Sequence, residues 1–356
     1  MRLSELILAT IMVFTLISCT KEIIVEEEPI EIVKIVEVLG KMNPDIKLDL
    51  SGVESIVDSD HLSWPREITV MNGKIIIEKE PQRVLTISLG HDEMLFGFVE
   101  LNKIVATTSF TQDPIGNVSD LAVGLPIISA DPEIIVSQDP DIVFADPYAD
   151  PSLIDSLTDL GIPVVQTKLH NDEEGRKSDI LLIGYALGEL ESAQALIKML
   201  DERIDDLELL VKSKINDSKP RVLILTYYDG YWAGGSGSTE DSIITLAGGV
   251  NVAAEAGVES NDMINKESLI SMNPDVIIIP QGEAWGGRQF LDDLIADTTL
   301  REIEAIKNKK VYLVEPRYFT TLSHWNIRGA EELVTIFWSG ISSENFVDFP
   351  NISLIF

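Results

Sequence analysis

Cysteine is the scarcest residue in these 356 residues, since Cys19 stands alone. A single cysteine cannot form a disulfide within the chain, so disulfides do not hold the fold together. Basic residues are also few: 27 lysines and arginines stand against 59 aspartates and glutamates, which gives a net charge of −32. Because the phosphates of nucleic acid demand a positive surface, this balance excludes a nucleic acid partner.

Long apolar runs are absent, and the one short run lies near the start, from Leu6 to Ile17. It has about a dozen residues, whereas a membrane-spanning helix needs roughly 20. A short apolar core behind Arg2 is typical of a secretory signal and predicts an exported protein. The next residues, Leu-Ile-Ser-Cys at 16–19, resemble the lipobox of bacterial lipoproteins. That resemblance implies cleavage before Cys19 and a lipid on this cysteine; the alternative is an incidental or buried thiol.

Acidic residues crowd the stretch that follows the predicted signal peptide at 1–18. Residues 19–66 are rich in glutamate and aspartate and lack a clear globular pattern. We interpret them as a solvated, lipid-bearing linker. The chain is 45% hydrophobic, and the part beyond this linker is long enough for two ordinary lobes.

An internal repeat divides this body into two halves. The stretch PEIIVSQDPDIVFAD at 132–146 is echoed by KESLISMNPDVIIIP at 266–280, and RVLTIS at 83–88 is echoed by RVLILT at 221–226. Both longer stretches carry a glutamate ahead of a Pro-Asp pair that introduces an apolar, β-branched run. A duplication on this scale predicts two lobes, each an α/β sheet of similar plan.

Strand and helix patterns alternate along both halves. Apolar β-branched runs such as DIVFA and DVIII predict buried parallel strands, and amphipathic stretches predict the helices between them. PSLIDSLTDLG at 151–161 predicts a helix with Gly161 as its C-cap. EITVMNGKIIIEKEP at 67–81 differs, because Asn72-Gly73 between alternating apolar residues predicts a β-hairpin.

One long helix is predicted between the two halves. Gly184 and Gly188 are expected to interrupt the helical pattern, after which a single apolar face continues. A helix from Glu191 to Asn216 would be roughly 39 Å long, which is enough to join two lobes. The predicted organisation is an N-terminal lobe at 67–188, a bridging helix at 189–216, a C-terminal lobe at 217–340 and a C-terminal tail at 341–356.

An ordered set of segments resembles the substrate-binding proteins of bacterial ABC importers, in the cluster for cobalamin, iron–siderophores and haem. The resemblance extends from about Glu67 to Gly340 and implies an α/β fold of two Rossmann-like lobes bridged by one long helix, with the ligand in the cleft between them. It also implies a monomer on the outer side of the cell membrane that delivers its ligand to permease subunits. The segments are EPQRVLTISLGHDEMLFGFVELNKIVATTSFTQDP (80–114), PEIIVSQDPDIVFADPY (132–148), LIDSLTDLGIPVVQT (153–167), KPRVLILTYYDGYWAGGSGS (219–238), ITLAGGVNV (244–252), ESLISMNPDVIII (267–279) and LREIEAIKNKKVYLVEP (300–316).

The resemblance further implies two docking points for the permease. In the family, one exposed glutamate on each lobe binds an arginine pocket, and the matching residues here are Glu133 and Glu267. Asp131 and Asn265 are predicted N-caps, which puts each glutamate at the second helical position. A negative charge there favours the helix dipole by about 0.3–1 kcal/mol, so a structural role is the alternative.

The loops predicted at the strand ends carry the candidate ligand-binding residues, because ligands of open α/β sheets bind beyond the carboxyl ends of the strands. Aromatic faces there suit a large planar or macrocyclic ligand, and arginines suit an anionic group. For the aromatic residues the alternative is core packing, and for Arg328 it is a structural salt bridge. The candidates are His91, Asp92, Tyr148, Tyr227, Tyr228, Tyr231, Trp232, Trp285, Arg288, Tyr318, Trp325 and Arg328.

Histidine is too sparse to specify a metal site or a cofactor. Of the four histidines, only His91 and His324 fall in predicted cleft loops, where they are candidate ligands of a metal ion or of haem iron. The first of these loops departs from the family pattern, since Gly90 to Glu93 stand where the family has a small polar pair, Ser/Thr-Glu. The resemblance therefore leaves the ligand open between cobalamin, a ferric siderophore and haem.

Two other functions compete with this interpretation. One is a molybdate-like oxyanion or metal-ion binding protein of the same fold. The other is a lipid-anchored metal-dependent hydrolase that uses His91, Asp92 and His324. No H-E-x-x-H, G-x-S-x-G, P-loop or Rossmann motif is present, so we predict that the protein is not an enzyme.

Overall fold

The computed structural model describes residues 49–214 and 218–354. The predicted signal peptide, the predicted lipidation site Cys19 and most of the predicted acidic linker lie outside these residues, as does the end of the predicted bridging helix at 215–216. In the part of the chain that is described, no helix has the length and apolar character needed to cross a membrane.

The end of the predicted linker, residues 49–66, packs onto the first lobe. Leu50, Val53 and Ile56 are buried, and Ile56 forms a β-bridge with Ile68. The folded body therefore includes at least part of this acidic stretch, because apolar side chains spaced within it cover the hairpin that follows. That hairpin is confirmed, since strands β1 (Arg66–Val70) and β2 (Gly73–Ile77) pair antiparallel.

The first lobe is built on a parallel five-stranded sheet in the order β5-β4-β3-β6-β7. Its strands are short and apolar, and the four residues of β6 are all buried because helices cover both faces of a parallel sheet. The elements are β3 (Val84–Thr86), α1 (Leu89–Phe98), β4 (Ile104–Thr108), α2 (Ser119–Ala122), β5 (Ile127–Ile128), α3 (Pro132–Ser137), β6 (Ile142–Ala145), α4 (Pro151–Asp159) and β7 (Val164–Gln166).

Two consecutive helices, α5 (Glu173–Leu187) and α6 (Leu190–Lys214), connect the lobes. Helix α6 has 25 residues, which makes it about 37 Å long. Gly188 ends α5, as the sequence predicts, and it does so in the left-handed conformation. The predicted break at Gly184 is wrong, since this residue lies inside α5. A Cβ at Gly184 would stand 2.6 Å from the Cβ of Ala193, so the glycine permits close packing between α5 and α6.

The second lobe has six strands, with β11-β9-β8-β12-β13 in order and β10 beside β8. Its core is parallel like that of the first lobe, but β9 runs antiparallel to β8 and β11. Asp229-Gly230 supplies the tight turn between β8 and β9, so the candidates from Tyr227 to Trp232 lie on a hairpin and not in an open loop. The strands are β8 (Arg221–Tyr227), β9 (Tyr231–Gly234), β10 (Val250–Asn251), β11 (Asn261–Ile264), β12 (Val276–Ile279) and β13 (Val311–Leu313).

Six helices cover this second sheet, and the chain then leaves the lobe. Beyond the last helix, Phe349, Asn351 and Ile352 of the predicted tail are buried. The tail is therefore part of the folded body. The helices are α7 (Thr239–Leu246), α8 (Val252–Glu255), α9 (Lys266–Met272), α10 (Gly287–Ala296), α11 (Glu304–Lys307) and α12 (Asn326–Phe337).

Candidate functional site

Exposed aromatic side chains follow the carboxyl ends of strands in both lobes. In the first lobe, Tyr148 after β6 is 84% exposed and Phe110 after β4 is 63% exposed. In the second lobe, Trp285 after β12 is 64% exposed, and Tyr227 and Tyr228 at the end of β8 are also exposed. Ligands of open α/β sheets bind beyond the carboxyl ends of the strands, so these exposed aromatic rings make this edge a candidate ligand surface. Phe110 was missed by the sequence analysis, although its position just after a strand is the signal that identified the others.

Gln281 holds the second lobe's aromatic loops together, and the sequence did not indicate this role. Its side-chain oxygen accepts a hydrogen bond from the amide of Tyr227 at 2.8 Å, and its side-chain nitrogen donates to the carbonyls of Tyr227 and Trp285. The Tyr227 ring stacks on Phe290 at 5.5 Å between centroids and meets Tyr231 edge-on at 5.3 Å. A buried amide therefore positions an aromatic surface whose rings support one another.

Three further candidates border this surface with differing exposure. Tyr231 and Trp232 in β9 are half-buried, so only part of each ring is available. Arg288, in the first turn of α10, is exposed. Among the residues that the structure describes, Arg288 forms no ion pair with a carboxylate, whereas arginines such as Arg203 and Arg328 do. The Arg288 guanidinium is therefore available to a ligand.

Tyr318, Trp325 and Arg328 form a buried cluster instead of an open surface. The Tyr318 hydroxyl donates to Asp348 at 3.0 Å, and its ring lies parallel to Trp325 with centroids 6.4 Å apart. Arg328 is ion-paired with Glu331 at 2.7 Å and with Asp348 at 3.1 Å. These contacts are the core packing and the structural salt bridge that the sequence left as alternatives.

His91 and Asp92 lie in the first turns of α1 and not in a loop, because the helix begins directly after β3. His91 is fully buried against Thr167, with 2.8 Å between Nε2 and the hydroxyl, and burial lowers its pKa to about 3. Asp92 accepts hydrogen bonds from the hydroxyls of Thr86 and Thr111 and from the amide of Thr108. Burial raises the pKa of Asp92 to about 6. Both side chains are buried and form hydrogen bonds that hold the ends of the strands in place.

His324 is also fully buried, and its ring meets Phe349 edge-on at 4.9 Å. Neither ring nitrogen has a hydrogen-bond partner among the described residues, and burial lowers the pKa of His324 to about 3. His324 packs against Gly97, whereas His91 contacts Thr167. Within residues 49–214 and 218–354, no group of three or more His, Cys, Asp or Glu side chains is placed to hold a metal ion.

Glu93 joins the two lobes, and the sequence analysis did not single it out. Its carboxylate is buried and accepts hydrogen bonds from Asn117 of the first lobe, at 2.8 Å, and from the hydroxyls of Thr321 and Ser323 of the second. Asn117 also donates to the carbonyl of Arg317 across the same boundary. Burial raises the pKa of Glu93 to about 7 despite these donors.

The two predicted docking glutamates lie at exposed helix starts, one in each lobe. The predicted N-caps are confirmed: the Asp131 side chain accepts from the amide of Glu133 at 2.9 Å, and the Asn265 side chain accepts from the amide of Ser268 at 2.8 Å. Glu133 and Glu267 both occupy the second helical position and are exposed. Their carboxylates are therefore open to a partner.

Residues 84–318 match the periplasmic binding protein family, a span that includes both sheets and the helices between them. The chain belongs to this family. Among solved structures, this periplasmic binding protein resembles the periplasmic heme-binding protein RhuT from Roseiflexus sp. RS-1 in its apo form. The two share a TM-score of 0.61 and 22% identity, over 72% of this chain and 97% of that one. This likeness shows the fold.

Curated relatives of this periplasmic binding protein are named for binding and transport. An uncharacterized ABC transporter substrate-binding lipoprotein of Bacillus subtilis (strain 168), YvrC, is 24% identical over 273 residues, which cover 74% of this chain and 82% of the relative. A cobalamin-binding protein of Halobacterium salinarum is 26% identical over 212 residues, which cover 58% of this chain. The matched part spans 56% of that relative's length.

We expect Glu93 to make the stability of the protein fall as pH rises toward neutrality. Below about pH 4.5, the ordinary pKa, the carboxyl is neutral in both folded and unfolded states, and its contribution to stability is complete. Between that value and about 7 only the folded state keeps the proton, so the contribution is lost as pH rises. The free energy of unfolding, measured by urea denaturation, should lose up to about 1.4 kcal/mol per pH unit from this group.

Glu93→Gln should flatten this part of the pH profile, since its amide does not titrate. The matched control is Glu133→Gln, at an exposed glutamate, which should keep the wild-type slope. Asp92 and Glu332, whose pKa values burial also raises, contribute to both curves. Parallel profiles for wild type and Glu93→Gln would contradict the assignment.

Proposed function

We propose that this periplasmic binding protein serves an ABC importer and that its ligand is a corrinoid of the cobalamin class. The observation that carries this proposal is the set of exposed aromatic side chains at the carboxyl ends of the strands, with Tyr148 and Phe110 in one lobe and Tyr227, Tyr228 and Trp285 in the other. Broad aromatic faces suit the large, flat macrocycle of a corrinoid, which has apolar faces and a rim of neutral amides.

The charges near this surface favour a ligand with little net negative charge. Arg288 is the cation that we find available there, because Arg328 is engaged by Glu331 and Asp348. A ferric siderophore with several negative charges, or a small oxyanion, would need more cations or more buried donors. Haem would bring two anionic propionates to the Arg288 guanidinium and would need a further cation there. It would also need an iron ligand, which the buried His91 and His324 do not supply, so an exposed tyrosine would have to serve. The name of the Halobacterium salinarum relative supports the same ligand class.

Cyanocobalamin should raise the melting temperature of the purified protein, and hemin, a ferric catecholate siderophore and molybdate should not. Ligand at 100 times its dissociation constant adds about 2.7 kcal/mol to the free energy of unfolding. Trp285→Ala and Tyr148→Ala should each weaken cyanocobalamin binding about tenfold by calorimetry, which corresponds to about 1.4 kcal/mol.

Leu209→Ala serves as the control, because Leu209 is an exposed apolar residue on α6, away from the strand ends. It should leave the affinity for cyanocobalamin unchanged. A stabilising effect of hemin, siderophore or molybdate without one of cyanocobalamin would replace the corrinoid assignment with that ligand. Turnover of an ester or phosphate substrate would instead favour the hydrolase alternative.

We further propose that Glu133 and Glu267 dock the protein on arginine pockets of the permease. Each carboxylate is exposed at a helix start, and the repeat places one in each lobe, so one copy of the chain presents two equivalent acidic points. Arginine recognises a carboxylate through paired, charge-assisted hydrogen bonds, which are directional as well as strong. A permease that contacts both points would sense the separation of the lobes.

Glu133→Gln together with Glu267→Gln should weaken binding to the permease about tenfold or more, because each substitution removes a charge-assisted contact. Surface plasmon resonance with the permease in nanodiscs measures the affinity of the binding protein for the permease. Glu208→Gln, at an exposed position on α6, is the matched control. The affinity for the ligand should be the same in the wild type, the double variant and the control. If the double variant binds the permease as tightly as the wild-type protein does, the docking role is refuted.

The lipid anchor is a separate proposal, and its residue, Cys19, lies outside the described part of the chain. It is supported by the lipobox-like Leu-Ile-Ser-Cys sequence and by the lipoprotein name of the Bacillus subtilis relative. In cells grown with radiolabelled palmitate, wild type should be labelled and fractionate with membranes, whereas Cys19→Ser should be unlabelled and released. Equal labelling of both proteins would refute the anchor at this residue.

A further inference from the structure

We propose that the C-terminal strap, residues 347–354, ties the two lobes together and sets the resting width of the cleft between them. The strap follows the last helix of the second lobe and ends on the first lobe. It contacts the second lobe, the bridging helix α6 and the first lobe in turn. This inference depends on the two-lobed fold and not on the identity of the ligand.

The strap is attached to the second lobe through Asp348. Its carboxylate accepts a hydrogen bond from the Tyr318 hydroxyl at 3.0 Å and from Nε of Arg328 at 3.1 Å. Other contacts fix the positions of both donors, because Arg328 also pairs with Glu331 and Tyr318 stacks on Trp325. This end of the strap is therefore fixed to a rigid part of the second lobe.

The bridging helix holds the same end of the strap through Arg203. Its guanidinium donates to the carbonyl of Val347 at 2.8 Å and lies over the ring of Phe349, 4.1 Å from the ring centre. The same guanidinium forms a two-point ion pair with Glu331 of α12. Phe349 is buried and meets the His324 ring edge-on. One arginine thus joins α6, the strap and the second lobe.

The far end of the strap caps a helix of the first lobe. The Asn351 amide donates to the carbonyl of Phe96 at 2.7 Å and to that of Val99 at 3.3 Å, and the Ser353 hydroxyl donates to Val99 at 3.1 Å. Helix α1 ends at Phe98, and the last carbonyls of a helix have no partner within the helix. Ile352 is fully buried beside them.

These attachments link lobe movement to specific bonds. If the first lobe swings away from the second, α1 moves relative to Asp348, and the hydrogen bonds of Asn351 to α1 must break or the strap must stretch. Backbone between fixed points so few residues apart has little slack. The strap therefore acts in parallel with α6 and with the hydrogen bonds of Glu93 as a further connection between the lobes.

The test measures the distance between lobes by pulsed electron resonance, with spin labels at Asp155→Cys and Glu302→Cys in a Cys19→Ser background. Both sites are exposed, one in each lobe. Asn351→Ala removes the attachment to α1 and should widen the distance distribution at least twofold. Asn345→Ala is the matched control, because the Asn345 side chain bonds locally to the amide of Ser342. It should keep the wild-type distribution.

An unchanged distribution in a folded Asn351→Ala protein would overturn the strap proposal, since terminal packing alone would then explain the contacts. If that variant does not fold, Ser353→Ala, which removes one bond to Val99, takes its place and should widen the distribution by a smaller factor. No ligand is needed for this measurement. A negative result in this measurement would not affect the proposed function. Conversely, a ligand other than a corrinoid would not affect the strap proposal.

Discussion

The burial of helix α1 is the constraint on which the rest of this structure depends. Nine of its ten residues, from Gly90 to Phe98, are buried, because the helix is covered by its own sheet, by α6 and by segments of the second lobe. The covered residues include two carboxylates, Asp92 and Glu93. A buried charge without hydrogen-bond partners is costly, so each of these groups requires donors close by.

Those donors come from the parts of the chain that shape the cleft. Asp92 draws its hydrogen bonds from the end of β3 and the segment after β4, and Glu93 draws two of its own from the second lobe. The polar side chains near the strand ends are therefore largely turned inward and satisfied. Aromatic residues such as Tyr148 and Trp285 are left to form the outer surface. The burial of α1 therefore accounts for both features: hydrogen-bonded polar side chains inside the protein and exposed aromatic side chains at the strand ends.

The same helix accounts for the firm connection between the lobes. Close to its last turn, Gly97 leaves room for His324, and the free carbonyls of Phe96 and Val99 receive the strap. Together with α6, these contacts restrict how far the lobes can separate.

Local features of the fold were determined by the sequence alone. The hairpin at Asn72-Gly73, the N-caps Asp131 and Asn265 and the helix break at Gly188 each depend on a few neighbouring residues, so their patterns can be recognised without the fold. Only the tertiary structure decided which candidate residues face solvent. His91, Tyr318 and Trp325 follow strand ends along the chain, as Tyr148 does, yet they are buried because distant segments cover them. Glu93, Gly184 and the strap were beyond sequence reasoning for the same reason: their partners lie far along the chain, and burial is a property of the assembled molecule.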